Sequence, residues 1–337
     1  MSRFILSKEI VLKQYSKLAK LGLTISYSTK TNPDITPILE ENTTCFFGMH
    51  NIRNLKIVKD KSRVWFFPQG WNNENIEELI KSGVNKFVLD NENDLNVLLE
   101  YLECNDISID LMLRMKQREH TIFTGRYYVF GMPSKQINRL IPKLAKTKGI
   151  HKLGVHFHRK TQNVSEWRLK EELEQSLTEE TMNSISIVDI GGGFPSDYKN
   201  TSDNIMIQVE QHIKQLIEWL GDKEVIAEPG RFIAAPAGKF ETRIVNIHDN
   251  NIIVDGSVYN GSMDTIVVPI KLRVEGELEE GTSYLIKGIT PCSMDIFRYK
   301  VYLKEPKIGA KIVFLNAGAY NYSTNFCNLE KPEVILH

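Results

Sequence analysis

The chain has 337 residues, which suits a barrel with an appendage, or two domains, and exceeds one small domain. Hydrophobic residues make up 42% and charged residues 25%, enough for a real core, so disorder is excluded as the main state. Lysine plus arginine and aspartate plus glutamate both number 42, and a net charge of zero excludes a broad electrostatic grip on nucleic acid or on an anionic membrane.

The first residues predict a strand over Arg3–Leu6 and a helix over Lys8–Lys20. β-rich runs follow at Thr24–Ser28, Thr44–Phe47, Arg63–Phe67, Lys86–Leu89, Ile109–Arg114, Lys152–His158, Ser184–Asp189 and Lys223–Glu228. Amphipathic stretches lie between them, among them Asn73–Ser82, Glu92–Leu102, Ser134–Ala145, Glu166–Leu177 and Ile207–Leu220. Alternation of this kind predicts an α/β fold, a closed TIM-like (β/α)8 barrel over residues 22–236. After about residue 237 helical periodicity stops. Strand-like runs at Lys239–Ile247, Asn251–Val254, Thr265–Pro269, Lys271–Val274, Thr282–Lys287, Lys300–Leu303 and Lys311–Leu315 predict a second, mostly antiparallel β-domain. With the first strand and helix it comprises residues 1–21 and 237–337. No Gly-, Ser- or Pro-rich linker separates the two parts, so they are expected to pack tightly.

Four clusters end predicted barrel strands, the face where such barrels place their chemistry. Tyr27-Ser28-Thr29-Lys30-Thr31-Asn32 offers a lysine at the mouth. It is either a solvated loop group or, if desolvated, a nucleophilic amine of lowered pKa. His156 and His158 sit two apart on one strand face, either packed or stacking on a flat ring. A zinc site would need a third ligand, and none stands nearby in the sequence. Asp189-Ile190-Gly191-Gly192-Gly193-Phe194-Pro195 is either a tight turn or an anion-binding loop, and lacks the dinucleotide spacing. Glu228-Pro229-Gly230-Arg231 adds a carboxylate and a guanidinium. The last two clusters follow strands 7 and 8, whose loops commonly bind phosphate in these barrels. Together they point to a phosphorylated ring cofactor, with Lys30 forming a Schiff base and Glu228 facing a pyridinium nitrogen, which pyridoxal 5′-phosphate fits.

Cys45, Cys104, Cys292 and Cys327 form no C-x-x-C pair, and no apolar run approaches the roughly 20 residues that span a bilayer. The first residues lack the apolar stretch and cleavage site of a signal peptide. The expectation is a soluble cytoplasmic protein with reduced thiols, no membrane or nucleic-acid partner and no metal.

The motifs resemble those of the fold-type III pyridoxal-phosphate decarboxylases, the ornithine, arginine and diaminopimelate decarboxylase group, in order and spacing from Lys30 to Val334. That resemblance implies an alanine-racemase-like fold and the decarboxylation of a basic, diamino or carboxylated amino acid, releasing CO2 and an amine. It implies Lys30 as the Schiff-base lysine, and His158 as the stacking ring within Gly154-Val155-His156-Phe157-His158 and Gln162. Gly191, Gly192, Gly193, Gly230, Arg231, Thr161 and Tyr320 would hold the phosphate, and Glu228 the ring nitrogen. Gly288-Ile289-Thr290-Pro291-Cys292-Ser293-Met294-Asp295 is similar to the family's cysteine loop. The family works as a homodimer with shared active sites, so Cys292 and Asp295 would reach the partner's cofactor and Cys292 would help protonate the product. Tyr259, Asp295 and Arg159 are the expected substrate contacts. Cys45, Cys104 and Cys327 read as small buried hydrophobes. Racemases of this fold place an arginine at the ring nitrogen, so Glu228 favours decarboxylation; the alternatives are a racemase or a non-catalytic, regulatory cofactor-binding relative.

The chain also departs from the family. Arg159-Lys160-Thr161 replaces a small glycine-containing loop, and one residue is missing between Cys292 and Asp295. Pro269 stands about where ornithine decarboxylases place a diamine-binding aspartate. The Arg-Pro-x-Leu-Tyr stretch of diaminopimelate decarboxylases is absent. Arg159, Lys160, Arg273 and Arg298 then suit a substrate bulkier or more acidic than ornithine.

Overall fold

The computed structural model describes residues 1–116, 129–163, 166–201, 205–268, 270–321 and 323–337. Pro269 lies outside these described residues. The chain opens with strand β1 (Arg3–Leu6) and helix α1 (Lys8–Ala19), whose N-cap Ser7 accepts a hydrogen bond from the Ile10 N–H.

Eight parallel strands then close into a barrel in chain order. They are β2 (Thr24–Ser28), β3 (Phe46–Met49), β4 (Val64–Phe66), β5 (Lys86–Leu89), β6 (Ile109–Arg114), β7 (Ile150–His156), β8 (Ile187–Asp189) and β9 (Glu224–Ala227). The helices between them are α2 (Thr36–Asn42), α3 (Asn73–Lys81), α4 (Glu92–Cys104), α5 (Ser134–Leu144), α6 (Leu169–Ser176), α7 (Glu179–Ser184) and α8 (Ile205–Leu220). Local chemistry fixes their starts. Asn72 and Asn75 form a reciprocal capping box on α3, and the Asn91 side chain caps α4 through the Asp94 N–H. Trp65, Phe67, Val88, Met112, Ile187 and Ile226 form a buried cluster of their own within the strands. A much larger cluster packs strands against helices and continues into the second sheet.

Helix α9 (Arg231–Ala237) leads out of the barrel into β10 (Gly238–His248). The remaining elements are β11 (Asn251–Val254), α10 (Val258–Gly261), α11 (Asp264–Val267), β12 (Arg273–Val274), β13 (Leu278–Lys287), β14 (Ile296–Tyr302), β15 (Lys311–Leu315) and β16 (Glu333–Leu336). The sheet runs β12-β15-β10-β11-β13-β14, with β1 added beside β10 and β16 beside β1. Its pairs are antiparallel except β1 with β16 and β11 with β13. So the α/β barrel with a mostly antiparallel sheet is the observed architecture.

A segment next to the site differs in kind from the sequence expectation. Thr265–Pro269 reads as a strand from its β-branched run, but 264–267 form a helical turn closed by the Val268 N–H to the Asp264 carbonyl at 2.9 Å. A strand there would carry the buried Asp264 carboxylate away from Arg231, the cation that pairs with it.

Candidate active site

The C-terminal ends of the barrel strands surround a cavity of about 390 Å³ whose walls include Lys30, His50, Asp90, Arg114, His158 and Glu228. Lys30 sits on a single 3-10 turn directly after β2. Its amine opens on the mouth, and removal from bulk water lowers its pKa, with Arg114 adding to the effect and Glu228 opposing it.

Glu228 follows β9, and its Oε2 accepts a hydrogen bond from His156 Nε2 at 3.1 Å. Burial pushes this carboxyl up, but the His156 and His158 imidazoles override it and hold it below the usual carboxylate range. His156 is 1% exposed, and desolvation lowers its own pKa, so the ring is a neutral donor to an ionised acid. Glu228 Oε1 takes no bond from a described residue. A Cβ on Gly48 would stand 3.5 Å from it, an ordinary contact. His158 lies just past β7; its Nδ1 accepts the Gly192 N–H at 3.3 Å and stands 3.8 Å from Glu228 Oε2. His156, His158 and Glu228 thus supply the third ligand that the sequence reading did not find for a metal. Yet His156 spends Nε2 on Glu228, and His158 Nδ1 takes its bond from the Gly192 N–H.

The loops after β7, β8 and β9 meet at the other end of the mouth. A Cβ on Gly191 would lie 2.2 Å from the Phe157 carbonyl, and one on Gly230 2.2 Å from Thr31 Oγ1, so only glycine permits these approaches. Gln162 ties two loops together, donating from Nε2 to the Ser196 carbonyl at 3.0 Å and accepting the Ser196 N–H at Oε1, 2.6 Å. Thr161 Oγ1 accepts from Arg231 Nε at 3.1 Å. The Tyr320 ring stacks on the Arg231 guanidinium at 5.0 Å, and its N–H donates to the Thr31 carbonyl at 2.8 Å.

The structure therefore brings together Lys30, His158, Thr161, Gly191, Gly192, Gly193, Glu228, Gly230, Arg231 and Tyr320. It does not bring Cys292, Tyr259 or Asp295 to this chain's mouth. Cys292 Sγ is 2.8 Å from Tyr259 Oη, and that bond pushes the Tyr259 phenol up to about 12.

Three residue expectations are corrected. Asp295 is 1% exposed and accepts from Ser257 Oγ at 2.9 Å, the Val258 N–H at 2.8 Å, the Thr290 N–H at 3.0 Å and Thr290 Oγ1 at 2.7 Å. These bonds hold the loop, so the carboxylate does not face a substrate at this chain's own mouth. Arg159 is 3% exposed and turned back onto α6, paired with Glu172 at 2.8 Å. Arg231 gives its fork to Asp264, with Nη2 to Oδ1 at 2.9 Å and a second bond from Nη1 to Oδ2, so it is not free to grip a phosphate bidentately. The other cations invoked for an acidic substrate are likewise matched: Lys160 by Glu166, Arg273 by Asp197 and Arg298 by Glu277. Among the cysteines, Cys45 is buried and pushed up to about 12 by desolvation, as a small hydrophobe would be placed, whereas Cys104 and Cys327 are exposed.

Sequence reasoning missed His50, Asp90 and Arg114. His50 follows β3, Asp90 follows β5 and Arg114 ends β6, so the strand-end rule that found Lys30 would have found them if applied to every strand. Desolvation, with Lys30 adding its charge, takes His50 down to about 4. The Arg114 guanidinium lies over the Phe130 ring at 5.0 Å, and desolvation lowers its pKa against the pull of Glu228 and Asp90.

A closed parallel barrel with a lysine, a flanking imidazole, an uncovered carboxylate oxygen and glycine-lined loops at one mouth defines a cofactor-dependent barrel of the alanine-racemase-like type. The sequence model described as "Pyridoxal-dependent decarboxylase, pyridoxal binding domain" matches residues 13–235, and the chain belongs to that family. It is similar to a lysine/ornithine decarboxylase of Selenomonas ruminantium, 24% identical over 251 residues, spanning 70% of this chain and 62% of the relative. It is also similar to antizyme inhibitor 2 of Xenopus laevis, 26% identical over 294 residues, spanning 77% of this chain and 62% of the relative. The chain thus spans less than two thirds of the length of these curated relatives. In fold it is similar to a lysine/ornithine decarboxylase of Vibrio vulnificus, solved with putrescine, at a TM-score of 0.81 and 20% identity, covering 100% of this chain and 94% of that one.

The cofactor of the family, pyridoxal 5′-phosphate, fits this donor set. Glu228 and Lys30 line one cavity, Glu228 Oε1 takes no bond from a described residue, and close glycine approaches bring the loops after β7, β8 and β9 together beside it.

Proposed function

We propose that the protein is a pyridoxal-phosphate-dependent amino-acid decarboxylase that works as a homodimer in the cytoplasm. The observation that carries this reading is the convergence of Lys30, Glu228 and His158 on one cavity whose far end is built from glycine loops. When bound, the cofactor supplies an electron sink for the bond lost to CO2. Lys30, its pKa lowered by desolvation, would provide the amine that holds the cofactor. Glu228, ionised and oriented by His156, holds a proton on the ring nitrogen. His158, fixed by the Gly192 N–H, would pack against the cofactor and help exclude water. Cys292 returns a proton to the product carbon from the partner subunit.

A shared site is supported by the position of Cys292, which lies outside its own chain's mouth with Ile289 and Met294 exposed beside it, 45% and 53%. A cytoplasmic setting is supported by four cysteines that are all free. Among the described residues no helix is long and apolar enough to cross a membrane. With Arg159, Lys160, Arg273 and Arg298 already paired, a second substrate carboxylate has no partner among them, and the first substrates to screen are lysine and ornithine, with the dicarboxylate diaminopimelate as the contrast.

The test is borohydride trapping with pyridoxal phosphate, peptide mapping and CO2 release. The expected result is one labelled peptide carrying Lys30, no label in Lys30→Ala, and CO2 from one amino acid. A trapped Lys30 with no CO2 from any amino acid would give the regulatory reading, which the likeness to antizyme inhibitor 2 favours, precedence; racemisation without CO2 would point to a racemase.

A further inference from the structure

Arg231 begins α9 at the phosphate end of the mouth and is 4% exposed. A guanidinium has five N–H donors. Nε donates to Thr161 Oγ1 at 3.1 Å, one Nη1 hydrogen to Tyr198 Oη at 2.9 Å, the other to Asp264 Oδ2, and one Nη2 hydrogen to Asp264 Oδ1 at 2.9 Å. One donor, on Nη2, is left. Asp264 is as buried as its partner at 4%, and it enters from α11, on the far side of the domain junction. A carboxylate and a phosphate present the same planar pair of oxygens to an arginine fork. Both cannot take it at once, and the Asp264 charge already cancels that of Arg231 where a phosphate dianion would arrive.

We propose that Asp264 is an affinity-setting residue, a built-in competitor that contends with a phosphate group for the Arg231 fork and so weakens the apoprotein's hold on any phosphorylated ligand there. On this inference the remaining grip comes from groups that carry no net charge, such as the Gly193 N–H and the Thr161 hydroxyl, since the Gly191 and Gly192 N–H groups already donate to Asp189 Oδ1 and His158 Nδ1. Binding a phosphate then moves Asp264 off the fork. The inference rests on the cofactor reading for the identity of the ligand, and on the Arg231–Asp264 geometry alone for the competition.

The experiment titrates the full-length apoprotein with inorganic phosphate and, separately, with pyridoxal phosphate, by calorimetry and by the phosphate-induced rise in Tm. Asp264→Asn keeps an acceptor for one guanidinium hydrogen and removes the charge. It is expected to bind inorganic phosphate about tenfold tighter than wild type, the order expected for unmasking one buried cation. It should also gain more Tm from saturating phosphate. Asp264→Glu keeps the charge and is expected to show no gain. Equal or weaker phosphate binding by a folded Asp264→Asn would overturn the inference and leave Asp264 as a structural partner of Arg231. A gain of the same size in Asp264→Glu would overturn it too.

Should Asp264→Asn fail to fold, hydrogen exchange on the wild type decides. The amides of Thr265, Ile266 and Val268, held in the α11 turn by Ser262, Met263 and Asp264 carbonyls, should exchange faster in saturating phosphate. Unchanged or slower exchange would sink the proposal. The two readings fail separately. Pyridoxal phosphate trapped on Lys30 with no Asp264 effect removes the competition alone. Tighter inorganic phosphate in Asp264→Asn with nothing trapped on Lys30 removes the cofactor reading alone.

Discussion

The mouth of the barrel holds two buried acid–base pairs, and they are built to opposite ends. At the ring end, Glu228 meets an imidazole that donates one hydrogen bond, and Oε1 takes none from a described residue, so the pair presents a net anion to the cavity it lines. At the phosphate end, Asp264 meets a permanent cation through two bonds, and Thr161 and Tyr198 take further donors, so the pair presents almost no charge. Both are equally hidden from water. What separates them is spare capacity, set by the pairing base: a neutral histidine cannot cancel a carboxylate, whereas an arginine can.

The largest way to break that contrast is Glu228→Gln. Glutamine keeps an acceptor for His156 Nε2 but removes the anion, and kcat is expected to fall by about 10²–10³ with cofactor still bound, the scale seen for deleting one preorganised electrostatic contact. Activity within a few-fold of wild type would show that the ring end needs no charge. Next in size is Arg231→Ala, which strands Asp264 buried without its cation. A loss of about 3–5 kcal/mol in urea unfolding is expected, and a loss under 1 kcal/mol would mean that water reaches Asp264 freely.

Gly230→Ala tests the junction of the two ends. Its Cβ would lie 2.2 Å from Thr31 Oγ1, and overpacking of this kind costs about 1–3 kcal/mol. Thr31→Ala should recover much of that loss when combined with it, so an additive double mutant would place the clash elsewhere.

The smallest effect is the acid response. His156 and His50 have lowered folded pKa values, so the unfolded chain takes up protons first as pH falls below the ordinary histidine value near 6.5. Glu228, also lowered, acts in the same direction below the ordinary glutamate value near 4.3. Stability is therefore complete near pH 7 and declines toward about pH 4, where His50 itself titrates. Tm should fall across that window, and His156→Asn should flatten the upper part of the fall; a Tm flat from pH 7 to 5 would contradict the neutral-imidazole description.

Much of the barrel was legible because its signals are local. Thr24–Ser28, Lys86–Leu89 and Ile109–Arg114 form strands with the bounds read from the sequence, and α3 starts at Asn73 as its cap dictates. The lysine, the glycine loops and Glu228 were legible as well, since ending a barrel strand is a property of sequence position. What was not legible were partners. Arg159 looks like a substrate contact until Glu172 appears one helix later, and Arg231 looks free until Asp264 arrives from the other domain. Asp295 looks like a substrate contact until four donors are found around it. β16 stayed hidden for the same reason: Glu333–Leu336 is an unremarkable tail until it lies parallel to β1, more than 300 residues away in the chain.

The segment carrying Lys30 is also held from outside the barrel. The Tyr320 N–H donates to the Thr31 carbonyl at 2.8 Å, and Asn32 Nδ2 donates to the Gly318 carbonyl at 2.9 Å. Gly318 in turn lies against Gly238, where a Cβ on Gly238 would meet its Cα at 2.3 Å. For protein engineering this sets an inheritance rule. The lysine turn, the glycine at the exit of α9 and the loop after β15 form one unit of recombination, though they stand at opposite ends of the gene. A chimera that crosses over at the barrel–sheet boundary separates them, and must carry all three from the same parent if its lysine is to point where it does here.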